Sequence, residues 1–263
     1  MEHLRCSLCY ALHLKGARFS RALTDSGLAA GIALQVTMQG IPAALFSLEM
    51  GGTEVAYRLL AGETGVSIAE LRAQRMTVDE QERYVEVTGA LSELPFYIDE
   101  SATLTPQELR GRARQMVRQY GAGLIVVDYL QLMHIADTKA GRVEQVSEIS
   151  RALKALAKDL QVPVLALAQL NREVEHRTPP RPQLSDLRDS GAIEQDADVV
   201  MFITRDDAYF TPEEWERRFP TRRYPEGLAT IIVAKHRNGP TGEGQLWFDK
   251  RLTRFSELPR LGA

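Results

Sequence analysis

The sequence predicts an α/β domain with a largely parallel, twisted β-sheet, helices on both faces and a C-terminal β-hairpin. From about residue 42 onward, short apolar runs alternate with segments of helical periodicity, which is the pattern of successive strand–helix–strand units. The length of 263 residues suits one large domain of this kind. The predicted strands are residues 43–48, 95–98, 124–127, 164–168, 199–204 and 230–234, and residues 245–248 are expected to close the hairpin.

Two helices are defined by their end signals and their periodicity. Thr105 and Glu108 form a capping box with Pro106 in the first turn, and Gly121 stops the apolar stripe that follows. A second helix is predicted over residues 143–160, where valine, isoleucine and leucine recur at helical spacing. This second helix is expected to be part of the core scaffold.

The first forty residues contain weaker signals of secondary structure. Gly27 and Gly31 flank an Ala/Leu-rich stretch that is compatible with a helix, but no repeat, low-complexity tract or linker is evident. We therefore divide the chain into a poorly defined amino-terminal segment, residues 1–41, and an α/β domain, residues 42–263.

Composition excludes some classes of protein. A net charge of −3 excludes a surface coated in positive charge, so any nucleic-acid contact must come from local basic loops or from several subunits. No stretch approaches ~18 consecutive apolar residues and no secretory signal is recognisable, so we expect a cytoplasmic protein with no membrane segment. Cys6, Cys9 and His13 are one ligand short of a structural zinc site, and we expect incidental thiols.

Two polar segments rich in Arg and Pro, residues 172–190 and 205–227, directly follow predicted strands. In an open parallel sheet, ligands gather outside the carboxyl ends of the strands. These segments are therefore expected to carry chemistry or to contact partners.

Two predicted strands end in carboxylates. Asp128 ends an apolar run, at the position where nucleotide hydrolases place the carboxylate that holds Mg²⁺, usually through water. Glu49 follows another buried strand, where it can orient or deprotonate an attacking water. Each residue alone also fits a simpler role, because a carboxylate stabilises the start of a helix.

Two further strands end in an amide and in a basic finger. Gln169 can respond to the presence of a γ-phosphate, although a hydrogen-bonded glutamine at the edge of the core is an alternative. Lys235 and Arg237 precede an Asn-Gly-Pro turn, and cations at the tip of such a loop can stabilise charge on a nucleotide held by a neighbouring subunit.

Together these runs resemble a known family. The runs FSLEM, LIVVDYLQLM, LALAQLNREVE, LSDLRDSGAIEQDADVVMFITRD and AKHRNGPTG are similar to the successive motifs of DnaB-type replicative DNA helicases and cover about residues 42–250. The resemblance implies a RecA-like core and an ATP-driven 5′ to 3′ motor that unwinds duplex DNA at replication forks. It also implies a hexameric ring on single-stranded DNA, with ATP and Mg²⁺ between subunits and with primase and a helicase loader as partners.

The resemblance assigns roles at the nucleotide site. Glu49 matches the family's catalytic glutamate, Asp128 its magnesium-associated aspartate, and Gln169 its glutamine that couples nucleotide state to DNA. Lys235 and Arg237 match the basic finger that reaches the γ-phosphate in the adjacent subunit. The carboxylates and the finger would thus contact the bound nucleotide and its metal.

The resemblance also assigns a DNA-binding loop. Arg188, Asp189 and Gly191 match the loop that follows single-stranded DNA in the central channel. Backbone and phosphate contacts of that type give affinity without sequence preference, as a translocating motor requires. A salt bridge from Arg188 to Asp186 or Asp189 is the structural alternative.

The phosphate-binding loop departs from the family. No match to G-x-x-x-x-G-K-[ST] exists in the chain, and residues 17–25, ARFSRALTD, begin like the family's A-R-P run but lack the glycine and the lysine. A scrambled reading frame and genuine decay both explain this pattern. Without the lysine and the glycine-rich cradle, ATP binding should be severely weakened.

Three functions therefore follow from the sequence. The first is an ATP-driven replicative helicase motor domain. The second is an ATPase-deficient ring subunit or fragment that binds single-stranded DNA and helicase partners without hydrolysis. A RecA-fold ATPase of recombination or repair is the third, and the RDSGAIEQDAD and KHRNGPTG runs disfavour it.

Overall fold

The computed structural model describes residues 8–13, 22–135, 141–171, 174, 176, 177 and 179–258. For residues 8–13, 22–24 and 188–190 the description covers the backbone only.

Strands and helices alternate through the first two thirds of the chain. The strands are β1 (Leu8–His13), β2 (Ala43–Ser47), β3 (Phe96–Asp99), β4 (Leu124–Asp128), β5 (Val164–Gln169), β6 (Val199–Thr204), β7 (Leu228–His236), β8 (Gly242–Asp249) and β9 (Arg254–Ser256). The helices are α1 (Ala22–Met38), α2 (Gly52–Thr64), α3 (Ile68–Ala73), α4 (Val78–Ser92), α5 (Pro106–Tyr120), α6 (Arg142–Leu160), α7 (Gly191–Asp196) and α8 (Pro212–Arg218).

All the strands that the structure describes belong to one sheet, in the order β3-β2-β4-β5-β1-β6-β7-β8-β9. The pairs from β3 to β6 are parallel, and those from β6 to β9 are antiparallel. The predicted α/β class, the largely parallel sheet and the hairpin are confirmed. β1 and β9 were not predicted; β1 lies within the segment of residues 1–41 and forms the centre of the sheet.

Helices cover both faces of the sheet, as expected. Along β2, Ala44 and Phe46 belong to the apolar cluster formed with α5 and α6, whereas Ala43 and Leu45 belong to the cluster formed with α1 and α2. All residues of β2 and β4 are buried. Burial on both faces explains why these strands read as continuous apolar runs.

The two predicted helices form at the expected places. Thr105 caps α5 in a capping box with Glu108, and Gly121 ends the helix in the left-handed region at φ 70°. α6 spans Arg142–Leu160, with its buried stripe beginning at Val146. Within the residues that the structure describes, no helix combines the length and the apolar character that crossing a membrane requires.

A buried charge cluster holds the connection between β6 and β7. The side chains of Arg205 and Asp207 are 3% and 0% exposed, and Arg205 Nε lies 3.1 Å from Asp207 Oδ1. Asp207 Oδ2 also accepts from the Gly227 amide and lies 2.9 Å from Lys250 Nζ. The guanidinium of Arg205 stacks 4.2 Å from the centroid of the Phe248 ring. One carboxylate thus joins the end of β6, the start of β7 and the end of β8.

Candidate active site

Glu49 follows β2 and Asp128 ends the neighbouring strand β4, so both lie at the carboxyl ends of the parallel strands, here called the carboxyl edge of the sheet. β2 and β4 run parallel with Ser47 opposite Asp128, and the Leu48 amide donates to the Asp128 carbonyl at 2.7 Å. Glu49 is the next residue and is exposed, whereas Asp128 is only 3% exposed. The structure therefore brings together the two carboxylates that the sequence singled out.

Gln169 is the last residue of β5, which pairs with β4. Because adjacent strands are about 4.8 Å apart, the ends of β2, β4 and β5 span roughly 10 Å. The Gln169 amide donates to Gln131 Oε1 at 3.0 Å, and Gln131 Nε2 donates to the Gln169 carbonyl at 3.0 Å. Gln131 lies in the 3-10 turn after β4. This reciprocal pair, which the sequence did not reveal, joins the turn behind Asp128 to the end of β5.

The chain leaves the central strand at the same edge. In the register of the parallel pair, His13 at the end of β1 lies opposite Gln169, and α1 begins at Ala22. A helix N-terminus directly after a central strand is the usual place for a phosphate group. Residues 14–21, which include most of the segment where the phosphate-binding loop is expected, lie outside the described residues. Asp25, in the first turn of α1, is 4% exposed and adds a negative charge there.

Arg58 of α2 is a site residue that sequence reasoning missed. It is 7% exposed, its Nε lies 3.6 Å from Glu54 Oε1, and within the described part of the chain its Nε and Nη1 make no hydrogen bond. Burial lowers the pKa of the Arg58 guanidinium, while the charges of Glu54, Asp128 and Glu49 raise it. A buried cation therefore lies near both site carboxylates. The signal was an arginine within the buried stripe of α2.

The carboxylate donors fit a nucleotide-bound Mg²⁺. Among the described residues, no group of three or more His, Cys, Asp or Glu side chains could hold a metal by itself. Mg²⁺ in nucleotide sites takes one or two carboxylates, with phosphate oxygens and water completing the shell. Asp128, an oxygen donor at a strand end, fits that pattern. Cys6 lies outside the described residues, and Cys9 is described by its backbone alone, so the C-x-x-C interpretation stays a prediction.

Lys235 and Arg237 lie at the other end of the strands from Glu49 and Asp128, next to the amino-terminal end of β6. β7 is antiparallel to β6, with His236 opposite Val199 at the start of β6. The six residues of β6 separate this edge from the carboxyl edge by about 17 Å. Because the side chains of a single subunit cannot close that gap, the finger cannot serve the site formed by its own Glu49 and Asp128.

Within the subunit, the finger rests on α7. Lys235 Nζ donates to the Glu194 carbonyl, and Arg237 Nη2 donates to the Gln195 carbonyl at 2.7 Å. Arg237 Nη1 also lies 3.2 Å from Asp198 Oδ1. Burial, and then the charge of Arg237, lower the pKa of Lys235. Both cations thus bind near the carbonyl end of α7, where the helix dipole favours positive charge.

The predicted DNA loop leads into the same helix. Gly191 is the first residue of α7, and Arg188 and Asp189 precede it in a 3-10 helix. The side chains of Arg188 and Asp189 lie outside the part that the structure describes. The carboxylate of Asp186 is 2% exposed and binds the guanidinium of Arg177 through both oxygens. Asp186, one of the two alternative partners of Arg188, is therefore already occupied by another arginine.

A glutamate, an aspartate and a glutamine thus lie at the carboxyl ends of three parallel strands, beside a central strand that is followed by a helix. This arrangement is typical of RecA-like domains. The model of the family described as "DnaB-like helicase C terminal domain" matches residues 12–257. The chain belongs to this family of DnaB-like helicase C-terminal domains.

Curated relatives are similar over most of this chain. The replicative DNA helicase DnaB of Rickettsia bellii is 43% identical over 224 residues, which cover 81% of this chain and 45% of the relative. DnaB of Mycobacterium leprae is 44% identical over 216 residues, covering 82% of this chain and 34% of the relative. DnaB of Leifsonia xyli is 42% identical over 240 residues, covering 90% and 50%. The chain thus spans half or less of the length of these relatives.

Solved structures have the same fold. The structure described as "ATPase Domain of G40P" has a TM-score of 0.86 and 30% identity, covering 98% of this chain and 86% of that one. A structure of a DnaB-like replicative helicase, described together with its interactions with primase, has a TM-score of 0.86 and 32% identity, covering 98% and 58%. The RecA-like fold implied by the sequence is therefore confirmed.

Proposed function

We propose that this chain is the motor domain of a replicative DNA helicase, which hydrolyses ATP between subunits of a ring and moves 5′ to 3′ on single-stranded DNA. The observation that carries the proposal is the placement of Glu49, Asp128 and Gln169 at one sheet edge and of the basic finger at the other. A head-to-tail ring, which we take to be hexameric, would join those two edges at every subunit boundary. Primase and a helicase loader are the expected partners of the assembled protein.

Each residue has a defined task at that boundary. Glu49 would orient the attacking water and accept its proton. Asp128 would hold Mg²⁺, which when bound neutralises charge on the β- and γ-phosphates. Arg58 would add a buried positive charge near the two carboxylates. Arg237 of the adjacent subunit would stabilise the charge that develops on the transferred phosphoryl group.

One segment of the chain would connect the nucleotide site to the DNA-binding loop. Gln169 begins the connection to α7, and α7 carries Gly191 at its start and the carbonyl partners of Lys235 and Arg237 at its end. A shift of this segment on DNA binding would therefore move the finger. We propose that this is how single-stranded DNA stimulates hydrolysis at the neighbouring site.

The first test is DNA-stimulated ATP hydrolysis by the chain as written, at millimolar ATP, against Glu49→Ala. We expect low turnover that requires Glu49, because the missing glycine and lysine weaken ATP binding while Glu49 and Asp128 are still in place. Turnover equal to that of Glu49→Ala would contradict the proposal that this chain hydrolyses ATP. Such a result would leave the second candidate, a ring subunit that binds single-stranded DNA and helicase partners without hydrolysis, which the missing glycine and lysine favour.

Arg237→Ala is expected to lower DNA-stimulated turnover by on the order of 1,000-fold, because an arginine supplied in trans contributes that much in related phosphoryl transfers. Nucleotide affinity of the isolated subunit should not change, since Arg237 lies far from that subunit's own site. Turnover and equilibrium nucleotide binding measure the two effects separately. Arg251→Ala, at an exposed arginine after β8, is the control. A parallel loss of nucleotide affinity in the isolated Arg237 variant would reject the trans assignment.

A further inference from the structure

The segment of residues 205–227, here called the arm, connects β6 to β7 and includes α8. Its acidic residues lie mainly before or within α8, whereas its exposed arginines cluster at the end of α8 and in the turn that follows. These exposed arginines are Arg217, Arg218, Arg222 and Arg223. Within the described part of the chain, none of the four forms an ion pair. Unpaired exposed arginines in a protein of net charge −3 concentrate positive charge on one small surface.

Two of these arginines pack against a cluster of aromatic rings. The ring of Trp215 lies 4.5 Å from that of Phe219 and 5.8 Å from that of Phe210, measured between centroids. The guanidinium of Arg218 lies 5.2 Å from the Phe210 centroid, and that of Arg222 lies 6.0 Å from the Phe219 centroid. Stacking of this kind restricts the arginines without neutralising them.

The arm shares a pocket with the segment of residues 172–190. The pocket has a volume of about 410 Å³, and its lining includes Arg181 from that segment and Arg218 and Arg222 from the arm. Thr204, the last residue of β6, also lines it, and the Thr204 hydroxyl is buried without a hydrogen-bond partner among the described residues. The pocket therefore opens at the carboxyl end of β6, the edge that carries Glu49 and Asp128.

One carboxylate also lines the pocket. Burial, and then the charge of Asp207, raise the pKa of Asp206, while Arg181 and Arg222 lower it. Arg181 is paired with Glu243. Arg218 and Arg222, which form no ion pair among the described residues, therefore outnumber the single carboxylate of Asp206 and leave the pocket with a net positive charge.

We propose that the arm is a second binding surface for single-stranded DNA, in which Arg218 and Arg222 contact backbone phosphates next to the loop of residues 172–190. Phosphates fit planar guanidinium groups that have no carboxylate partner. Arginines interleaved with aromatic rings are typical of surfaces that follow single strands without sequence preference. This inference rests on the proposed function, because it takes from there that the chain moves along single-stranded DNA. An acidic peptide is the competing occupant and is included in the test.

The test measures binding of the full chain to a labelled oligo(dT) of about 20 nucleotides by fluorescence anisotropy, over roughly 50 to 300 mM salt. We expect Arg218→Ala/Arg222→Ala to reduce the salt slope by about 1.4, since each single-strand phosphate contact contributes roughly 0.7. Affinity should fall roughly ten- to thirty-fold near 100 mM salt for the same reason.

Matched variants separate phosphate binding from other effects. Arg114→Ala/Arg118→Ala removes two exposed arginines from α5 and should keep the original slope. Arg218→Lys/Arg222→Lys restores the charge and should restore most of the slope. Folding of each variant is checked by the fluorescence of buried Trp215, whose indole donates to the backbone carbonyl of Arg222 and keeps that partner in the alanine variant.

The outcomes are distinct. An unchanged slope in Arg218→Ala/Arg222→Ala, or no binding by the unaltered chain, overturns the proposal. Loss of poly-glutamate binding with oligo(dT) binding intact would assign the surface to an acidic peptide instead, and would also overturn it. Neither slope result depends on hydrolysis, so failure of the arm and failure of the Glu49-dependent enzyme can be told apart.

Discussion

Replacing Ala22 by glycine and Leu23 by lysine is expected to raise the affinity of this chain for Mg·ATP by on the order of 100-fold, because a buried charged hydrogen bond contributes up to about 3 kcal/mol. The pair restores G-K-T with the existing Thr24. Glycine lets the backbone amides approach the phosphates, and lysine supplies the missing positive charge. DNA-stimulated turnover should rise with the affinity.

The order of the strands and helices is the reason for expecting that two substitutions are enough. β1 already lies at the centre of the sheet beside β5, and α1 begins at Ala22 at the edge that carries Asp128 and Gln169. The fold therefore supplies the strand and the helix between which a phosphate-binding loop is expected. Asp25, buried in the first turn of α1, opposes the phosphate charge and should keep affinity below that of an intact loop.

Nucleotide affinity is measured by isothermal titration with a non-hydrolysable ATP analogue and Mg²⁺. Met38→Lys adds the same charge to the exposed far end of α1 and should not change affinity. An Ala22→Gly/Leu23→Lys protein that folds normally yet binds nucleotide no better than the original would contradict the position assigned to the phosphate loop.

Asp207→Ala is expected to lower the free energy of unfolding by about 3 to 5 kcal/mol, the usual cost of removing one partner from a buried ion pair. The change leaves Arg205 buried without its carboxylate and removes the acceptor of the Gly227 amide. Lys250 also loses its partner, so β6, β7 and β8 lose a shared contact. Urea unfolding followed by circular dichroism measures the loss.

Glu243→Ala is the matched control. Glu243 pairs with Arg181, and both side chains are nearly half exposed. Surface pairs of this kind contribute at most about 1 kcal/mol. Equal stability losses in the two variants would show that the Asp207 cluster does not hold the arm and the hairpin together.

The sequence predicted the strands whose apolar runs are bounded by turn signals, and with them the order of Glu49, Asp128 and Gln169. It did not predict β1, because Leu8–His13 mixes Cys, Ala and His and has no turn signal before it. β9 was missed because it has only three residues, of which only Phe255 is partly buried.

Other features depend on contacts between distant parts of the chain. The pairing of Gln131 with Gln169 joins residues 38 positions apart, and Lys235 reaches Glu194 across 41 positions. Local periodicity carries no information about such contacts. Arg58 is different, because a charged residue on the buried stripe of α2 is visible in the sequence once the helix is placed.

The proposed sharing of one site across a subunit boundary is tested most directly by mixing two defective subunits. In the Ala22→Gly/Leu23→Lys background, Glu49→Ala and Arg237→Ala proteins should each be inactive alone. Random assembly of equal amounts places an intact site against an intact finger at about one junction in four, and we expect turnover to recover to roughly that fraction. A mixture no more active than its separate components would contradict a site built from Glu49 of one subunit and Arg237 of the next.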